Sequence, residues 1–178
     1  SVVRLVITPA PSDPLIVDRP TIAISPDGRT VAYVAGRGSR QPIYLRERGQ
    51  FQSTPVPGTE GGFAPFFSPD GQWLGFFADR RMKRVLRTGG LAVSIADVAD
   101  AGVSSSVRAS WATQDTIFFT PDLSCGIWRT TSAGPPTAVT TLSGNETVHY
   151  WPQLLPGGKA VLFSAFGDGP EPQVYVQL

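Results

Sequence analysis

The chain has 178 residues, a net charge of +1, 16% charged side chains, and 41% hydrophobic and 10% aromatic residues. That is enough apolar material for a core, and so even a charge balance excludes the strong fields that recruit nucleic acid or anionic membranes. No apolar run approaches the roughly 20 residues of a membrane-spanning helix, the lone Cys125 excludes an intrachain disulfide, and 19 glycines with 17 prolines point to an all-β chain interrupted by frequent turns.

Residues 2–8 alternate as a strand, with Val3, Leu5 and Ile7 on one side, before Pro9, Pro11, Pro14 and Pro20 mark an irregular crossing. The first full turn motif is Ser25-Pro26-Asp27-Gly28, repeated as Ser68-Pro69-Asp70-Gly71. Proline presets φ, aspartate bonds its own backbone, and glycine accepts φ > 0, so each motif reverses the chain between antiparallel strands. β-Branched and aromatic runs flank both copies. Worn copies follow at Ala112-Thr113-Gln114-Asp115 and Leu155-Pro156-Gly157-Gly158. Aligned on Ser25, Ser68, Ala112 and Leu155, the steps are 43, 44 and 43 residues, the period of a four-stranded propeller blade.

The spacing predicts an all-β propeller of four-stranded antiparallel blades, about four per chain, over 19–58, 61–101, 107–142 and 148–178. Blade 1 has strands ending at Ser25 and at 30–35, 43–46 and near 51–56; blade 2 has its third and fourth at 83–86 and 91–96. In blade 3, Ile127-Trp128-Arg129 takes the place of Ile43-Tyr44-Leu45. Blade 4 ends on its third strand, 173–176, and lacks a fourth. The strand at 2–8 is predicted to pair outside it, within the chain or in a partner chain; the favoured form is a homodimer making a larger ring. A segment of a longer propeller is a further alternative, and the missing initiator methionine favours a fragment or processed chain.

The Ser-Pro-Asp-Gly turns with following aromatics resemble the WD40-like (PD40) repeats of TolB-type β-propellers. More closely, the run from about Arg19 to Phe163, including Pro57-Gly58-Thr59-Glu60-Gly61 and Trp151-Pro152-Gln153-Leu154-Leu155-Pro156-Gly157-Gly158, resembles the propeller region following the kinase domain of many bacterial serine/threonine receptor kinases. The resemblance implies a sensor or scaffold module. It implies a periplasmic or extracytoplasmic place if the chain follows those proteins, and a cytoplasmic one otherwise. Propellers host unrelated activities, so fold does not fix function.

Catalytic signatures are scarce. His149 is the single histidine, and the chain has no Gly-x-Ser-x-Gly elbow, no phosphate-cradling loop and no kinase signature. Neither His149 nor Cys125 has a companion for metal binding. The reading is therefore a non-catalytic protein- or ligand-binding propeller without metal or cofactor; the alternative is the propeller of a lyase or peptidase with a site at the tunnel mouth. The rim opposite the Ser-Pro-Asp-Gly turns carries the longer loops, where binding residues tend to collect. Arg80, Arg81, Asp100, Asp122, His149 and Trp151 are its candidate contacts. The basic run from Arg80 to Arg87 also suits a guarded blade edge, and His149 is placed in the loop entering an inner strand.

Overall fold

The computed structural model describes residues 6, 14–16, 21–38, 40–98, 108–113, 115–131, 134–169 and 171–178. They form four antiparallel sheets in chain order. The first holds β1 (Ile22–Ile24), β2 (Thr30–Val34), β3 (Ile43–Glu47) and β4 (Thr54–Pro55); the second holds β5 (Phe63–Phe67), β6 (Trp73–Ala78), β7 (Arg81–Leu86) and β8 (Val93–Asp97). The third holds β9 (Ala109–Trp111), β10 (Thr116–Phe119), β11 (Trp128–Thr131) and β12 (Gly134–Ala138), and the last has three strands, β13 (Glu146–Leu154), β14 (Val161–Gly167) and β15 (Gln173–Gln177). Each sheet is a simple meander, and the innermost strands β1, β5, β9 and β13 touch in succession, so the sheets stack as propeller blades.

The turn chemistry behind this order is visible atom by atom. Ser25 N–H donates to the Thr30 carbonyl at 2.8 Å and Gly28 N–H to the Ser25 carbonyl at 2.8 Å, with Gly28 at φ +68°. The Ser25 hydroxyl donates to Asp27 at 2.6 Å and accepts Thr30 N–H at 2.9 Å. Ser68 repeats the pattern with Gly71, Trp73 and Asp70. In the last blade the same backbone bonds, Leu155 to Ala160 and Gly158 to Leu155, form without a hydroxyl. There Gly157 at φ +94° follows Pro156, as a type II turn requires. The third copy is one residue shorter and uses the Thr113 hydroxyl to accept Thr116 N–H at 3.1 Å.

Period-two alternation sends side chains into three inter-sheet cores. From β6, Leu74, Phe76 and Ala78 pack against Ala32, Val34, Ile43 and Leu45 of the first blade, while Phe77 faces Trp111, Ile117 and Phe119 of the third. Phe118 turns the other way, onto Ile127, Val161, Phe163 and Ala165 at the joint of blades 3 and 4.

Several boundaries differ from the sequence reading. The fourth strand of blade 1 shrinks to Thr54–Pro55, because Pro55 cannot donate to a ladder. Strand β13 begins at Glu146 rather than near 148, which puts His149 inside the strand instead of in the preceding loop. Its β-bulge at Trp151 (φ +57°) matches the one at Ala64 (φ +47°) in β5, each residue preceding a proline. Leu15 bridges Ala35 at the end of β2, so the early crossing is pinned to blade 1 there. Among the described residues no strand joins the first sheet to the last, and the proposed closing strand, 2–8, lies outside them apart from Val6.

Candidate functional site

The loop rim between blades 2 and 3 holds a cleft of ≈ 710 Å³ lined by Asp79, Arg80, Arg81, Asp97, Val98, Phe119, Pro121, Asp122, Trp128 and Pro136. Three of the six sequence-predicted residues, Arg80, Arg81 and Asp122, converge there. Blade 2 supplies the two arginines through a two-residue turn, Asp79-Arg80, between β6 and β7. Both turn residues are left-handed, at φ +52° and +60°, the pattern of a type I′ hairpin, whose second position favours glycine. An arginine there carries a backbone penalty of roughly 1–2 kcal/mol.

The carboxylates of the cleft are largely occupied by neighbours. Asp79 meets Lys83 Nζ at 2.5 Å, and that bond, with the lysine's charge, holds its carboxyl below the usual range. Arg81 Nε donates to Asp97 at 3.1 Å, an exposed pair of small energetic weight. Asp122 accepts the Ser124 N–H at 2.7 Å and the Ser124 hydroxyl at 3.1 Å, which shapes its own turn. The Arg80 guanidinium has no ion-pair partner among the described residues. Behind these groups lie buried Val98 and Phe119, the half-buried ring of Trp128, and two prolines. The cleft therefore combines an apolar floor with a cation at its edge that no carboxylate among the described residues pairs with.

The other predicted residues lie elsewhere. Asp100 falls outside the described residues. Trp151, 44% exposed, sits on the β13 bulge with its ring edge-on to Phe166 at 5.6 Å. His149 is 2% exposed and locked between blades 3 and 4. Its Nε2 lies 3.1 Å from Glu146 and its Nδ1 2.7 Å from the Thr140 hydroxyl, which also accepts Ile127 N–H at 2.7 Å. Glu146, held ionised by the Ser143 N–H and then by His149, can only accept, so Nε2 carries a proton, while Nδ1 is hydrogen-bonded to the Thr140 hydroxyl. This hydroxyl–imidazole–carboxylate order has the composition of a nucleophilic triad, but its histidine is buried against Phe163 at 4.6 Å and each hydrogen-bonding group already has a partner. The arrangement serves as an inter-blade lock, a role that sequence reading missed.

Burial pushes the Cys125 thiol up to about 12, leaving it a poor nucleophile at neutral pH. Among the described residues no group of three or more His, Cys, Asp or Glu is placed to hold a metal ion.

No protein-family model matches the chain, and no curated protein matches it in sequence. Solved structures do match in fold. TolB from Acinetobacter baumannii is similar at a TM-score of 0.67 and 23% identity, over 93% of this chain and 41% of its own. A puromycin-hydrolysing peptidase of Mycobacterium tuberculosis is similar at 0.63 and 15% identity, over 88% of this chain and 29% of its own. An oligogalacturonate lyase, in complex with manganese, gives 0.50 and 14%, over 89% of this chain and 62% of its own. The fold is thus shared with a TolB protein and with propeller-bearing enzymes alike. In architecture the chain resembles a TolB-type β-propeller, and it spans less than half the length of that TolB chain.

Proposed function

We propose that the chain is a non-catalytic binding propeller whose loop-rim cleft between blades 2 and 3 takes an extended protein segment carrying an apolar side chain beside a carboxylate. Arg80 carries the reading. It occupies a left-handed position where glycine is favoured, yet presents a guanidinium with no ion-pair partner among the described residues beside an apolar floor. Strain of this kind is kept where a side chain has work beyond folding. Guanidinium binds carboxylate in a fork, and a desolvated apolar pocket supplies the rest of the affinity.

Selection of displayed random peptides on the immobilised protein tests this. Enriched peptides are expected to pair an acidic with an aromatic or aliphatic residue and to lose binding to Arg80→Gly. That variant should be neutral to stabilising by up to about 1 kcal/mol, since glycine relieves the left-handed backbone. Enrichment indifferent to both Arg80 and Arg81, or none at all, would sink the proposal.

A further inference from the structure

Both blades that wall the loop-rim cleft bring to it a charge with no ion-pair partner among the described residues. Blade 2 contributes Arg80, and blade 3 contributes Asp122, just after β10. The other charged groups of the lining are paired, Asp79 with Lys83 and Arg81 with Asp97. Arg80 is exposed and Asp122 half-buried, so an occupant can reach both. The Asp122 carboxylate accepts the Ser124 N–H and hydroxyl on a single oxygen, Oδ1, and both donors are neutral. Its turn is therefore satisfied without its charge being cancelled.

Covering such a group has a consequence for what binds. A segment that displaces water from a carboxylate strips its hydration, and a cationic hydrogen-bond donor replaces that hydration best. A neutral residue there leaves the charge uncompensated and an acidic one adds repulsion, so discrimination comes from penalty as well as attraction. The half-buried Pro121, Trp128 and Pro136 present apolar surface to the same occupant. Because the two unpaired charges are opposite in sign and stand on different blades, a segment crossing the joint meets them with different residues.

Resting on the peptide-binding reading of this cleft, we infer that Asp122 is its second charged determinant, selecting lysine or arginine on the far side of the segment's apolar residue from its carboxylate. The preferred occupant then carries acidic, apolar and basic residues in succession, whichever way its chain runs.

The probe is the library of displayed random peptides. Peptides that depend on Arg80 or Arg81 are expected to carry lysine or arginine across the apolar residue from the acid. The strongest is resynthesised with blocked termini, and its Kd is measured by fluorescence anisotropy. Asp122→Asn keeps Oδ1 to accept from Ser124 and removes only the charge; it should weaken the peptide about three- to tenfold. Replacing the peptide's basic residue with glutamine should cost the same factor, and the two changes together little more than either alone. Ser124→Ala, which loosens the turn and keeps the charge, should retain the preference for the basic residue. Arginine-dependent peptides that lack a basic residue, bind Asp122→Asn unchanged, or show additive losses overturn the inference and leave the peptide reading of the cleft standing. A preference lost in Ser124→Ala as fully as in Asp122→Asn also overturns it, because the shape of the turn would then be the cause. If no peptide depends on Arg80 or Arg81, the reading and this inference fall together.

Discussion

Gly75 and Phe66 face each other across β5 and β6, where the first blade, one repeat earlier, pairs Ala32 with Ala23. The two blades fill the same space differently: two small residues in one, a ring and no side chain in the other. A Cβ on Gly75 would come within 2.2 Å of the Phe66 ring, which Phe77 and Trp111 hold at 6.1 and 6.0 Å. Gly75→Ala should therefore destabilise by about 1–3 kcal/mol through overpacking. The double variant with Phe66→Ala should be no less stable than Phe66→Ala alone in urea unfolding; full additivity would refute the pairing. The turn serine makes a second test. Ser68→Ala removes the acceptor for Trp73 N–H and the donor to Asp70, and should cost about 1–3 kcal/mol. The Ser68 hydroxyl, then the Gln72 N–H, hold Asp70 below the usual carboxylate range. A lowered folded pKa contributes stability that is present above the unfolded value and lost as pH falls through the folded one. Stability of the wild type should thus drop with acid below about pH 4, and more steeply than that of Ser68→Ala.

The connections between blades are secured by hydroxyls at corresponding places. Thr59, fully buried, accepts Ile43 N–H at 2.9 Å and donates to the Val56 carbonyl at 2.6 Å. Thr140 accepts Ile127 N–H at 2.7 Å and is hydrogen-bonded to His149 Nδ1 at 2.7 Å. Each threonine follows its blade's last strand and satisfies an N–H at the start of the third, so the linker is bonded to the sheet it leaves. Thr59→Val keeps the shape but strands two buried backbone groups, and should lower stability by on the order of 2 kcal/mol. Calorimetry checks this, and an unchanged Tm would mean the hydroxyl is dispensable. These locks were not legible in the sequence, because threonine is also an ordinary strand residue and nothing nearby along the chain tells which backbone groups its hydroxyl will meet. The repeat itself was legible, since Ser25, Ser68 and Leu155 set the turns through chemistry local to a few residues. The same period placed the loops holding Arg80, Arg81 and Asp122 on one rim, which is why those three residues meet. His149 was misplaced by a few residues because the bulge at Trp151 and the early start at Glu146 lengthen β13. The Trp111 indole N–H, buried without an acceptor among the described residues, could not be read at all, since a missing acceptor is a property of the packed joint.

At the scale of the whole molecule, the two end blades leave apolar faces uncovered. Ile22 and Ile24 of β1 are 56% and 65% exposed, and Val174 and Val176 of β15 are 67% and 53%. Tyr175 stacks on Phe163 at 5.9 Å, toward blade 3, so alternation turns Val174 and Val176 to the free side. The outer edge of β15 also has no strand partner among the described residues, and an unguarded apolar edge is a template for another strand. Interior blade faces are covered by neighbours of the same kind, which makes a further blade the natural cover for both ends. When this chain is handled alone, a second copy can supply it, as in the ring of two chains that the repeat count suggests. Light scattering across a concentration series should then show mass rising from one chain toward two. Replacing Val174 and Val176 together with lysine, the side chain that commonly guards sheet edges, should hold it at one. The two valines contact solvent rather than the core, so the variant should keep the parent's Tm within a few degrees. A parent that stays at the mass of one chain throughout, or a lysine variant that associates equally well, would remove the end faces as the contact.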